Sequence, residues 1–123
     1  MAHILIIDDS PTDIRVFTTL LEREGHVVSS VGNAEEGIEL VRRKRPDAVI
    51  MDVIMPGMNG FQATRTLSRD PDTRDVPILI ITTKSMETDR VWGMRQGARD
   101  FITKPISESD FLARIGKLLP ANA

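Results

Sequence analysis

Short apolar runs recur along the chain: Ile4–Ile7, Val27–Val31 (interrupted by two serines), Ala48–Met51, Ile78–Ile81 and Phe101–Ile102. Most span four to five residues and are rich in Ile and Val, which suits strands better than helices. Between them the apolar positions change period. Ile14, Phe17 and Leu21 share one helical face, and Ala34, Gly37, Ile38 and Val41 follow the i, i+3, i+4, i+7 spacing. Phe61, Thr64 and Leu67 predict a third helix, and Phe111, Leu112, Ile115, Leu118 and Leu119 a last one. The stretch from Ser85 to Gln96 is more polar, with Val91, Trp92 and Met94 as its apolar content, and gives the weakest helical pattern.

Punctuation agrees with these boundaries. Ser10-Pro11 and Asn33 read as helix starts, Gly25 and Gly97 as stops, and Pro46 ends the second helix. Pro56 to Gly60 is turn-rich, and Arg69 to Val76 reads as a surface loop. Five strand–helix units of roughly 25 residues each predict an α/β fold, a doubly wound parallel sheet with helices on both faces and right-handed crossovers. No linker divides the chain, so residues 1–123 are read as one domain.

Composition narrows the chemistry. There are no cysteines, which excludes disulfides, thiolate metal sites and thiol catalysis. A net charge of −2 gives no general attraction to nucleic acid or an anionic membrane. Arg42-Arg43-Lys44-Arg45 is the one basic run, and it ends a helix, where cations are favourable. Neither a signal peptide nor a stretch of ~20 apolar residues is present, so the expected location is the cytoplasm.

The polar residues next to the strands carry more information. Asp8 and Asp9 follow the first strand, Asp52 the third, Thr82 and Thr83 the fourth, and Lys104 lies just past the fifth. A parallel sheet puts all strand C-termini on one edge, the edge where open α/β sheets bind ligands. Two carboxylates ~4 Å apart repel by about 4 kcal/mol at an effective dielectric near 20. Such a cluster persists only with a proton or a cation among its members. Oxygen ligands without His or Cys select a hard ion, and Mg²⁺ suits a site of carboxylates, waters and a phosphate. Lys104 and the Thr82 hydroxyl are placed to meet phosphate oxygens. Asp52, alone on the central strand, is the best nucleophile for forming an acyl phosphate, and the Asp8–Asp9 pair then holds the metal.

The segments Ile6-Ile7-Asp8-Asp9-Ser10, Met51-Asp52-Val53-Ile54-Met55-Pro56-Gly57, Ile81-Thr82-Thr83 and Thr103-Lys104-Pro105 resemble the four signature regions of response-regulator receiver domains. The likeness runs from Ile4 to Leu119. Val91-Trp92-Gly93 and Arg95-Gln96-Gly97-Ala98-Arg99-Asp100, with Gly60-Phe61-Gln62-Ala63-Thr64-Arg65, are similar to the PilH-type receivers of pilus chemosensory systems. The resemblance implies a flavodoxin-like (CheY-like) three-layer sandwich with strand order 2-1-3-4-5, which periodicity alone does not give.

It also implies roles. Asp52 would accept a phosphoryl group from a sensor histidine kinase or its phosphotransfer domain, and Asp9, Asp52 and the Ile54 main-chain carbonyl would ligate Mg²⁺. Asp8 would act directly or through water. Lys104 would pair with the phosphoryl group, alongside Thr82 and Thr83, and its bond to Pro105 would be cis. Thr82 and Phe101 would form a switch, with Thr82 moving toward the phosphate and Phe101 turning inward. The last two helices and the fifth strand would be read by a downstream protein. Ile54 and Lys84 flank the point of water attack, and Phe101 lacks the hydroxyl of the tyrosine found in many relatives.

The expected function is therefore a stand-alone receiver that promotes its own phosphorylation and dephosphorylation and signals by protein contacts, in twitching motility or chemotaxis. Two other readings compete with it: a phosphate sink for another receiver, and a phosphotransferase enzyme working through an aspartyl phosphate. Such enzymes usually carry a second aspartate two residues after the first, and that position here is Ile54. A nucleotide binder on the same fold would need a glycine-rich loop after the first strand, which is missing.

Overall fold

In the computed structural model, which describes residues 1–121, strands and helices alternate strictly. The strands are β1 (His3–Ile7), β2 (Val27–Val31), β3 (Ala48–Met51), β4 (Ile78–Thr82) and β5 (Asp100–Thr103). The helices are α1 (Pro11–Arg23), α2 (Ala34–Lys44), α3 (Gly60–Arg69), α4 (Glu87–Gln96) and α5 (Glu108–Leu118). All strand pairs are parallel, in the order β2-β1-β3-β4-β5, so the doubly wound 2-1-3-4-5 arrangement is found.

The sequence pattern explains that order. β3 and β4 are buried at every position, as an unbroken apolar run requires when helices cover both faces. β2, with its two serines, is the more exposed strand and takes one edge. Alternate strand residues point to opposite faces. Leu5, Ile7, Val49, Met51 and Ile80 therefore join the core beneath α2 and α3, while Ile4, Ile6, Ile50, Leu79 and Ile81 join the core beneath α1 and α5.

Helix starts follow their caps. The side chains of Ser10, Asn33, Asn59 and Ser107 accept the amide three residues on, at Asp13, Glu36, Gln62 and Asp110. α2 stops at Lys44, two residues before Pro46. The proline disfavours helical geometry at Arg45, which turns left-handed (φ 44°). β4 also runs one residue further than the apolar run. Thr82 pairs with Thr103, and its carbonyl accepts the Lys104 amide at 2.8 Å.

Candidate functional site at the C-terminal edge of the sheet

β1 and β3 are adjacent, in register from Ile4 with Ala48 to Ile7 with Met51, so the residues that follow them emerge side by side. The Asp52 amide donates to the Ile7 carbonyl at 2.9 Å, and the Asp8 amide to the Val31 carbonyl at 3.1 Å. Carboxylate oxygens of Asp8, Asp9 and Asp52 thereby lie within 4.8 Å of one another, with Asp8 and Asp52 buried and Asp9 exposed. The next turn is equally constrained. A Cβ on Gly60 would run into the Asp52 carbonyl oxygen, so only glycine lets α3 begin this close to the site.

Lys104 reaches the cluster from beyond β5. Its Nζ lies 2.6 Å from Asp13 Oδ2, 3.2 Å from Asp52 Oδ2 and 3.3 Å from Asp8 Oδ2. Burial alone would lower the lysine's pKa, but the hydrogen bond to Asp13 and the charges of Asp52 and Asp8 outweigh it and hold the ammonium above the ordinary lysine range. Burial pushes the Asp8 carboxyl up, with Asp52 adding to the rise, against the Ser10 amide and Lys104. Both Asp52 oxygens are engaged: Oδ1 accepts the Val53 amide at 2.7 Å and Oδ2 faces Lys104.

One ammonium among four carboxylates leaves the mouth strongly negative, and the donor set fits a hard divalent cation. Oxygens around an octahedral ion at ~2.1 Å stand about 3–4 Å apart, so a spacing within 4.8 Å needs only a small contraction. The side-chain donors are all carboxylates, as magnesium prefers.

The other expected residues fall at various distances from this cluster. Thr82 is fully buried, its hydroxyl accepting the Lys84 amide at 3.4 Å, while Thr83 is exposed beside Lys104 and Pro105. Ile54 lies in the β3–α3 loop with 56% of its surface exposed. The Lys104–Pro105 bond is cis. Phe101 is already buried, packed under α4, so in this conformation its inward position is filled. Asp13 was not among the expected site residues, although it makes the shortest contact to Lys104. Its signal was the Ser10-to-Asp13 capping spacing, which fixes that side chain in the first turn of α1, over the rim.

Among the described residues no helix is long and apolar enough to cross a membrane. The chain matches the response regulator receiver domain family over residues 4–116. It is 52% identical over 119 residues to Protein PilH of Pseudomonas aeruginosa, covering 97% of this chain and 98% of PilH. It is 38% identical over 117 residues to the response regulator PleD of Caulobacter vibrioides, covering 95% of this chain but only 26% of PleD. Among solved structures, it resembles the receiver domain of the sensor histidine kinase PA1611 from P. aeruginosa, which has a magnesium ion coordinated in its active-site cleft. That likeness has a TM-score of 0.87 at 26% identity and covers 95% of this chain and 96% of the other. With this match over most of its length, the chain belongs to the response regulator receiver domain family of two-component signalling.

Proposed function

We propose that this receiver takes a phosphoryl group onto Asp52 from a phosphohistidine of a sensor kinase or its phosphotransfer domain, in the cytoplasm. The observation that carries the reading is Asp52 at the end of the central strand, sharing Lys104 with Asp8 and lying within metal-ligand spacing of Asp8 and Asp9. A carboxylate oxygen of Asp52 forms the new P–O bond as the donor's P–N bond breaks, and the departing imidazole nitrogen takes up a proton. Val53 and Lys104 orient the attacking carboxylate, and Lys104 stays to meet the transferred charge. Asp9, Asp52 and the Ile54 carbonyl would hold Mg²⁺, with Asp8 ligating it directly or through water. When bound, that ion neutralises the carboxylates and the phosphoryl oxygens. Hydrolysis returns Asp52 to its free form, so the chain promotes its own phosphorylation and dephosphorylation rather than turning over a separate substrate. The likeness to PilH supports a role in twitching motility or pilus chemosensing, with α4, β5 and α5 as the surface read by a downstream protein.

The test is direct. Purified protein incubated with acetyl phosphate is expected to take up label only with Mg²⁺, at least a hundredfold above the level in chelator (about 3 kcal/mol of transition-state stabilisation). Asp52→Asn is expected to take up none. Equal labelling of that variant would place the nucleophile elsewhere.

A further inference from the structure

Two lysines lie just past strands that end at this edge, and only Lys104 is paired with the carboxylates, its side chain 13% exposed. Lys84 lies in the β4–α4 loop, where it lines a cleft with Val53, the residue after Asp52, and with Ile54 and Asn59. Its side chain is 36% exposed, and its ammonium pairs with Asp89 of α4 at 3.5 Å. That separation is well beyond the ~2.7–2.9 Å of a strong charge-assisted hydrogen bond, so the pair is loose. Ile54 across the cleft is apolar and offers the ammonium no alternative partner.

Asp89 does not depend on Lys84. Met86, at the start of α4, has no oxygen with which to cap the helix. Asp89 reaches back instead, accepting the Met86 amide on Oδ2 at 3.2 Å. A carboxylate at a helix N-terminus is favourable in its own right. The lysine backbone, meanwhile, is tied to the switch region: its amide donates to the Thr82 hydroxyl and its carbonyl accepts the Thr103 hydroxyl, each at 3.4 Å.

We propose that Lys84 is a transferable cation, held on Asp89 while Asp52 is free and drawn to the phosphoryl oxygens when Asp52 carries them, which unties the first turn of α4 from the loop. The inference rests on the receiver reading given above. The phosphoryl group brings about −1.5 to −2 of charge to a mouth that keeps the carboxylates of Asp8, Asp9 and Asp13, so with Lys104 and a divalent ion counted it still outweighs the single charge of Asp89. The ammonium sits on a flexible four-carbon stem with rotatable donors, which suits it to a change of partner. The same positive charge also draws an anionic phosphodonor toward the mouth before transfer.

The test is a double-mutant cycle on the initial rate of phosphoryl uptake from acetyl phosphate with Mg²⁺ at low ionic strength. Lys84→Met is expected to slow uptake by about two- to fivefold and Asp89→Asn to speed it by a similar factor, the range set by one partly exposed charge pair. Asn keeps an oxygen for the Met86 amide, so α4 keeps its start. In the Lys84→Met background the Asp89→Asn gain disappears. Amide resonances of Glu87 to Asp89 are expected to shift when wild type binds beryllofluoride, and to shift markedly less in Lys84→Met, a difference that a purely structural lysine would not produce. The inference is overturned by a flat cycle with label still on Asp52, or by an Asp89→Asn gain that persists without Lys84. Absence of uptake in wild type, or uptake retained in Asp52→Asn, would overturn the receiver reading itself.

Discussion

α4 and α5 flank the same strand and are held there by different means. α5 buries Phe111 and Ile115, stacks Phe111 on Phe17 of α1 with ring centroids 4.9 Å apart, and ties Arg114 to both oxygens of Asp100 at 3.1 and 3.2 Å. α4 buries only Gly93 and Gln96, and turns Val91 (41% exposed) and Trp92 (48%) to solvent. A helix of ten residues has little stability of its own and takes most of it from an apolar face packed on the core. α5 has that face, and α4 has a glycine in its place. Moving α5 would break a filled core, whereas moving α4 disturbs its packing on α3 and β5, where Gly93 and the partly buried Met94 meet the core, and one loose ion pair. The smaller buried apolar face makes α4 the less firmly anchored of the two helices, the one a small charge change at the rim would displace at lower cost.

The contrast breaks most visibly at Phe111. Phe111→Ala empties a fully buried position between α1, α5 and the sheet and is expected to lower the unfolding free energy by about 3–5 kcal/mol in urea denaturation. A loss under ~1 kcal/mol would mean that α5 is no better anchored than α4.

Gly93 sharpens the other side. A Cβ there would stand 3.0 Å from the Phe101 ring and 3.1 Å from the end of Ile80, both buried. In an open helix Gly→Ala gains up to ~1 kcal/mol, but overpacking a filled site costs about 1–3 kcal/mol. Gly93→Ala is expected to destabilise by ~1 kcal/mol net and to shift the emission of Trp92, the only tryptophan, as α4 lifts off Phe101. Net stabilisation with unchanged fluorescence would show that the ring yields and that α4 is not seated on it.

How much of this was legible beforehand follows from what each feature depends on. β3 and β4 are covered on both faces, so they had to be apolar throughout and could be read as runs; the order of the rim residues then followed from counting past each strand end. The strand order came with the resemblance, since periodicity carries no information on which edge a strand takes. Asp13 and Asp89 were missed for a common reason. Each is an acid in the first turn of a helix, a place where acids are ordinary, and only the docking of α1 and α4 against the rim brings them to Lys104 and Lys84. The start of α4 was indistinct because Met86 is no capping residue and the capping oxygen comes from Asp89. Gly60 and Gly93 read as a turn glycine and a motif glycine, while their actual constraints are the Asp52 carbonyl and the Phe101 ring.

The smallest effect is expected at Trp92, and its size is the point. A large aromatic half in contact with the protein would ordinarily contribute measurably to packing, yet its neighbours on α4 are mostly exposed and its carbonyl bond from Gln96, at 3.3 Å, belongs to the backbone. Ala also has the better helix propensity by a few tenths of a kcal/mol. Trp92→Ala is therefore expected to leave the urea midpoint within ~0.5 kcal/mol of wild type, with uptake of label on Asp52 unchanged. A loss above ~1 kcal/mol would make Trp92 the packing face that α4 otherwise lacks. In that case α4 would be anchored like α5, and the difference between the two helices would no longer explain which of them moves.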